Sequence, residues 1–366
     1  MKLGEPIVSI VDVDKARGVK KAIYKAINLT GGLKPKKGSL VAIKPNLCTA
    51  RKSPETGVIT NVEVVKAIID YLNDQCDDIQ ILIVESNSDR SADEAFRRLG
   101  YHELEDIYSN VKLKNLSKDR TIKIIPNFSH KISIIEIPET LLKINYLISV
   151  ACLKRHVNER YTGIWKNSYG LLPYKPIRIK MHPFLSEVLF ALNTMFWPDL
   201  SIIDAETALE GPGPIEGIPI NLGKILCSRH PLAIDLVALK MIGEKCSKVP
   251  HIKYAMKHLK LDEKEIAVIL DKGSLRSYLD FNEINEIYNL KFIPKSAYLL
   301  YRLSMRIRKL SIYLENIGYL FSLMGYTLRT PFKEEVIKGR IMPLKAILST
   351  ILNFILKIEV AERIYG

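Results

Sequence analysis

Short, nearly continuous apolar runs separated by helix-length stretches constrain this chain more than any other feature. The runs LVAIK (40–44), IQILIVE (79–85), YLISVA (146–151) and LSIIDA (200–205) lack the in–out alternation of a strand with one wet face. Strands covered on both faces read this way. Strands are expected at 6–13, 39–44, 79–85, 132–137, 144–151, 200–204 and 224–227. Helices fit between them at 14–28, 61–75, 91–99, 184–196, 231–243 and 251–259. Asn61 suits a helix N-cap and Pro231 a first helical position. The alternation predicts an α/β fold, with mainly parallel layered sheets and flanking helices.

From about Lys291 the pattern changes. Leu300, Leu303, Ile307, Leu310, Leu314, Ile317, Phe321 and Met324 step by three and four, a heptad seam that Gly318 and Gly325 weaken. After Pro343, Leu344, Ile347, Leu348, Ile351, Leu352 and Ile355 share one helical face. The simplest reading is a C-terminal helical hairpin. Self-association and an interfacial membrane helix are the alternatives. The expected organisation is an α/β body over 1–290, with a candidate internal division near 140–150, and a basic helical extension over 291–366.

Composition narrows the class. Hydrophobic residues make up 47% and charged residues 26%, which excludes disordered, collagenous and small disulfide-stapled chains. No apolar stretch reaches 18 residues, so no spanning helix is expected. Cys48, Cys76, Cys152, Cys227 and Cys246 are nowhere closer than 19 residues, and no signal-like leader opens the chain. That pattern points to a reducing, cytoplasmic setting and argues against an iron–sulfur cluster. The net charge is +14, of which +8 falls in 291–366. Such a tail could meet an anionic partner, but its aromatics sit at core-like spacing, which speaks against nucleic-acid binding.

In open α/β sheets ligands bind at the carboxyl ends of the strands. Four ends carry chemistry here: Lys44-Pro45-Asn46, Glu85-Ser86-Asn87, Lys154-Arg155-His156 and Asp204-Ala205-Glu206. Parallel strands would gather them on one rim. The densest stretch, KRHVNERYTGIWKNSYG (154–170), adds Thr162, Lys166 and Asn167. Backbone N–H groups after Thr162-Gly163 could receive an anion at a helix start. Arg178 and His182 follow. DAETALEGPGPIEG (204–217) forms a Gly/Pro loop in which Gly211 and Gly213 would let backbone approach a ligand. Asp204, Glu206 and Glu210 could bind a divalent cation, or one could act as a base. Asp235, early in an apolar helix, is either a first-turn acid or a partner for a strand-end Lys. Cys48 is a candidate nucleophile, whereas Cys152 reads as core.

VAIKPN (41–46), Gly57 with Thr60, IVES (83–86), AFRRLGY (95–101), CLKRH with TGIWKNSYG (152–170), the Arg178/His182 pair, and IIDAETALEGPGPIEG (202–217) followed by Asp235 are ordered motifs. Together they resemble the domain of unknown function 362 family over residues 5–260. Many members of that family carry a ferredoxin-like module with two four-iron four-sulfur clusters. This chain lacks the cysteines for one. The strand pattern of the first half also resembles, faintly, the N-terminal region of nickel-dependent lactate racemases.

The resulting expectation is an enzyme for a small anionic substrate, a carboxylate or phosphate. Lys44, Asn46, Lys154, Thr162, Lys166, Asn167 and Arg178 would hold it, with Gly211 and Gly213 shaping the loop. His156 would move a proton, with Glu85 or Asp204 orienting it or binding a cation. The alternative is a non-catalytic metabolite- or metal-binding or maturation protein. In that reading, residues 296–366 dock a protein partner or a second copy of the chain.

Overall fold

The computed structural model describes residues 5–126, 132, 134–156, 158–211, 213–271 and 276–279. The strands, in chain order, are β1 (Ile7–Asp12), β2 (Ser39–Lys44), β3 (Ile79–Glu85), β4 (Val111–Asn115), β5 (Thr121–Ile124), β6 (Ile135–Pro138), β7 (Tyr146–His156), β8 (Arg160–Thr162), β9 (Leu200–Glu210), β10 (Ile218–Ser228), β11 (Ala267–Asp271) and β12 (Arg276–Leu279). The helices are α1 (Val19–Leu29), α2 (Val62–Gln75), α3 (Ala92–Arg98), α4 (Glu103–Ile107), α5 (Ile164–Asn167), α6 (Lys175–Met181), α7 (Leu185–Met195), α8 (Pro231–Met241) and α9 (Pro250–Leu259). No helix among the described residues is long and apolar enough to cross a membrane.

The apolar runs build one ten-stranded sheet in the order β12-β11-β1-β10-β9-β7-β2-β3-β4, with β8 paired to β7. Strands β9, β7, β2, β3 and β4 are parallel neighbours. Both faces are covered. Val41 and Ile43 of β2, Ile81 and Ile83 of β3, and Ile148 and Val150 of β7 share one core with α1, α2 and α3. Ala42, Val84 and Leu147 face the opposite core with Val188, Ala191 and Leu192 of α7. Alternate residues of a strand point to opposite faces, so a run with no polar face must serve two layers. The fold is α/β, as the runs imply.

Helix starts follow local chemistry. The Asn61 side chain accepts the N–H of Glu63 at 3.0 Å, and Ser91 accepts that of Glu94 at 3.1 Å. Pro231 occupies the first turn of α8, which is buried nearly all round. Helix α1 begins five residues later than expected. Asp12 draws the Lys15 N–H into a turn at 3.1 Å, and Arg17 and Gly18 adopt positive φ.

Other departures bear on the site. Strand β10 runs antiparallel to both β1 and β9. The 132–137 run yields β6, which pairs with β5 in a separate two-stranded sheet among the described residues. Strands β7 and β9 continue past their expected ends to His156 and Glu210, because β8 and β10 give those overhangs partners. Lys154, Arg155 and His156 are therefore strand residues. The sheet is continuous across residues 140–150, where β7 pairs with β2 and β9. The heptad seam and the apolar face after Pro343 lie outside the described residues.

Candidate functional site

At the carboxyl end of β2, Lys44 is 2% exposed. Its Nζ donates to Glu85 Oε2 at 2.7 Å, to the Pro45 carbonyl at 2.7 Å and to Asn167 Oδ1 at 3.4 Å. Glu85 also accepts the N–H groups of Leu47 (3.1 Å) and Ser86 (2.9 Å). Asn167 donates to the Lys44 carbonyl and to Ser149, both at 3.0 Å. Burial lowers the Lys44 pKa, and the Glu85 carboxylate opposes that. Gly170 closes over the pair: a Cβ there would lie 2.9 Å from both Lys44 Nζ and Glu85 Oε1. Arg178 donates to the Asn87 carbonyl; burial lowers its pKa, and the Glu85 charge opposes that. Lys44, Glu85 and Asn167 thus satisfy one another.

Lys154 differs. It is 1% exposed, and its Nζ donates to Asn46 Oδ1 (2.7 Å), the Val58 carbonyl (2.6 Å) and Cys48 Sγ (3.3 Å). No carboxylate is among these partners. Lys166, the half-buried member of α5, has no hydrogen-bond or ion-pair partner among the described residues. Burial and the nearby Lys154 charge lower its pKa to about 8. Two cations thus stand at one place without an acid bonded to either.

His156 lies in the same neighbourhood. Its Nδ1 accepts the N–H groups of Asn158 (3.2 Å) and Glu159 (3.1 Å). Burial, then the charges of Lys166 and Lys154, push its pKa far down, so the ring is neutral with its proton on Nε2. The expectation that Glu85 or Asp204 orients His156 is corrected: backbone amides do so. Beside them His251, fully buried at the start of α9, has no hydrogen bond at either ring nitrogen. Its Nδ1 is 3.8 Å from Glu159 Oε2. Burial lowers the pKa of this ring, and the Glu159 carboxylate opposes that.

The helix start after Gly163 is not open to an anion. Asp235 already fills it: Oδ1 accepts the Ile164 N–H at 2.8 Å and the Tyr161 hydroxyl at 2.9 Å, and Oδ2 accepts the Trp165 N–H at 2.8 Å. Asp235 therefore points inward but partners backbone amides, not a strand-end Lys. Burial raises its pKa to about 7 against those donors. Thr162 is buried with its hydroxyl oxygen unpartnered.

Neither Asp204 nor Glu210 is bonded to a lysine among the described residues. Asp204 accepts the N–H groups of Asn61 (3.1 Å) and Glu206 (3.2 Å). Glu210 lies 3.6 Å from Arg155, which with Arg160 also binds Glu244. Gly213 packs so closely on the Arg155 carbonyl that a side chain has no room, so its requirement is packing within the protein. Gly211 turns the chain at φ 86°. Among the described residues no group of three or more His, Cys, Asp or Glu is placed to hold a metal ion.

The model of a family described as a domain of unknown function (DUF362) matches residues 41–240, more than half the chain, and spans the ends of β2, β3, β7 and β9. The chain belongs to the DUF362 family. A curated relative, a thylakoid-associated protein from Synechocystis, is 25% identical over 222 residues, or 59% of this chain and 66% of the relative. The DUF362 chain thus spans just under two thirds of that relative's length. It is also similar to the lactate racemase apoprotein from Thermoanaerobacterium thermosaccharolyticum, with TM-score 0.35 and 12% identity over 72% of this chain and 58% of that one.

Two residues of this DUF362 site, Glu159 and His251, are absent from the sequence-based candidates. The signal for His251 is a histidine in the first turn on the Ile252/Ala255 face of α9, where an apolar residue is the norm. Glu159 carries no signal beyond its place in the polar stretch.

Burial pushes the Asp204 pKa up to about 6. The folded chain therefore takes up this proton at a higher pH than the unfolded chain does. Its contribution to stability is complete below the unfolded value of about 3.8 and disappears as the pH rises through 6. Asp204→Asn does not titrate. Its stability relative to the unaltered protein should therefore improve between pH 4 and 7, by on the order of 3 kcal/mol. Urea midpoints of both proteins across that range measure it, and a gap independent of pH would show that Asp204 is charged throughout.

Proposed function

We propose that the strand rim binds a small anionic substrate, a carboxylate or phosphate, between Lys154 and Lys166, and that the chain is an enzyme acting on it. One observation carries this reading: Lys166 is half-buried without a bonded partner among the described residues, and its buried neighbour Lys154 is held by neutral groups and the Cys48 thiol. Uncompensated buried charge is costly, and an anion removes the cost. Other basic residues here already have acids: Lys44 has Glu85, and Arg155 and Arg160 have Glu244. In this reading Lys44, Glu85, Asn167 and Arg178 brace the rim, Asn46 aims Lys154, and His156 acts as a neutral hydrogen-bond donor. The five cysteines are all free, which supports a reducing, cytoplasmic setting.

Calorimetric titration with inorganic phosphate and with pyruvate tests the proposal. At least one should bind, more weakly as salt rises. Lys166→Met should weaken binding by at least about tenfold, the usual scale for one charge-assisted contact, with an unchanged circular dichroism spectrum. If neither anion binds the unaltered protein, the reading fails.

A further inference from the structure

Helix α6 contains no buried residue. Its half-buried Ile177 and Met181, four positions apart, pack on the core that α7 also covers. Arg178 donates to the Asn87 carbonyl, and the Tyr169 hydroxyl donates to the Arg178 carbonyl at 2.5 Å, so the helix is seated beside the strand rim. Two positions from both Ile177 and Met181, Ile179 falls on the opposite side of the helix. It is 65% exposed, and Phe184, just past the helix, is 40% exposed. Pro176 and Pro183 are exposed beside them, as are Lys175, Lys180 and His182. Neither Lys175 nor Lys180 has an ion-pair partner among the described residues. Residues 160–186 hold five Lys and Arg and no Asp or Glu. The segment 175–184 thus shows water an apolar tip inside a basic frame.

We infer that the segment 175–184 docks on the surface of an anionic lipid bilayer. Ile179 and Phe184 enter the headgroup layer, and Lys175 and Lys180 meet the lipid phosphates. Charge selects this occupant. Residues 291–366 carry +8 and the whole chain +14, so neither the tail nor a second copy is the complement of a basic patch. A nucleic acid would take the lysines but leave Ile179, which cannot stack on a base, without a partner. A stable protein interface needs about 20–30 residues a side, more than this segment offers. A bilayer accepts isolated apolar tips and supplies dense negative charge around them. The docking surface uses none of Lys44, Lys154 and Lys166, so it stands apart from the anion-binding reading above.

The test uses the full chain and sedimenting vesicles, one set of phosphatidylcholine alone and one of equal parts phosphatidylcholine and phosphatidylglycerol. The chain should sediment with the second set and not with the first. Ile179→Ser/Phe184→Ser should weaken that binding at least about tenfold, the scale for withdrawing two large apolar side chains from an apolar phase. Lys175→Ala/Lys180→Ala should weaken it on the order of tenfold, from the usual strength of a lysine at an anionic membrane surface. All four side chains are exposed, so the circular dichroism spectrum should not change. The basic residues 291–366 can bind vesicles by charge alone, so Phe184→Trp supplies a reading specific to this segment. Lipid brominated in its acyl chains should quench the fluorescence that this substitution adds. Sedimentation of Ile179→Ser/Phe184→Ser equal to that of the unaltered chain, or no quenching of Phe184→Trp, overturns the inference. Failure to sediment with either vesicle also overturns it. If poly-glutamate then binds and Ile179→Ser/Phe184→Ser abolishes that binding, the surface belongs to an acidic protein instead.

Discussion

Lys44→Met should cost about 3–5 kcal/mol of stability, the scale for leaving one member of a buried ion pair without its partner. The side chain it replaces is almost fully buried, and it satisfies Glu85 Oε2, the Pro45 carbonyl and Asn167 Oδ1 together. Methionine fills a similar volume, so the loss reports the stranded carboxylate more than a cavity. Lys44→Met/Glu85→Gln should recover part of the loss, because it removes the stranded charge while the one amide oxygen still accepts either the Leu47 or the Ser86 N–H. Urea midpoints of the two variants decide it. If the double variant is no more stable than the single one, the pair is not what the substitution disrupts.

Asp235→Ala should be nearly as severe. It leaves the Ile164 and Trp165 N–H groups and the Tyr161 hydroxyl without their acceptor in a fully buried place. At about 1–3 kcal/mol for each stranded donor, less any relief by rearrangement, the total is on the order of 4 kcal/mol. Asp235→Asn keeps one oxygen but turns an amide N–H toward a backbone N–H, so it should fall between. Because the same carboxylate sets the start of α5, phosphate affinity should drop in Asp235→Ala along with the melting temperature. Calorimetry at a temperature where the variant stays folded separates the two effects. Unchanged affinity would mean that Lys166 does not depend on this anchor.

The core strands were legible because a run with no polar face must be covered twice, and β2, β3, β7 and β9 all show this. Strand β4, VKLKN, was missed because its lysines imitate a surface turn. Strand β8 has three residues and exists only because the β7 overhang offers it a partner. Which strand-end lysine would find an acid could not be read from composition. Lys44 and Glu85 end adjacent parallel strands, one residue apart in register. On the other side of β7, Asp204 lies opposite Cys152, and the register shifts before Lys154 meets Leu209. That offset, invisible along the chain, leaves Lys154 without a carboxylate. The role of Asp235 was equally hidden, since its partners are backbone amides some 70 residues away.

By carrying its own carboxylate at the head of α5, the protein shapes the segment bearing Lys166 before any guest arrives. A visitor to the rim therefore meets a finished surface and pays little conformational entropy to order it. Association at such a surface is set by how fast the two partners meet, and selectivity by how long the visitor stays.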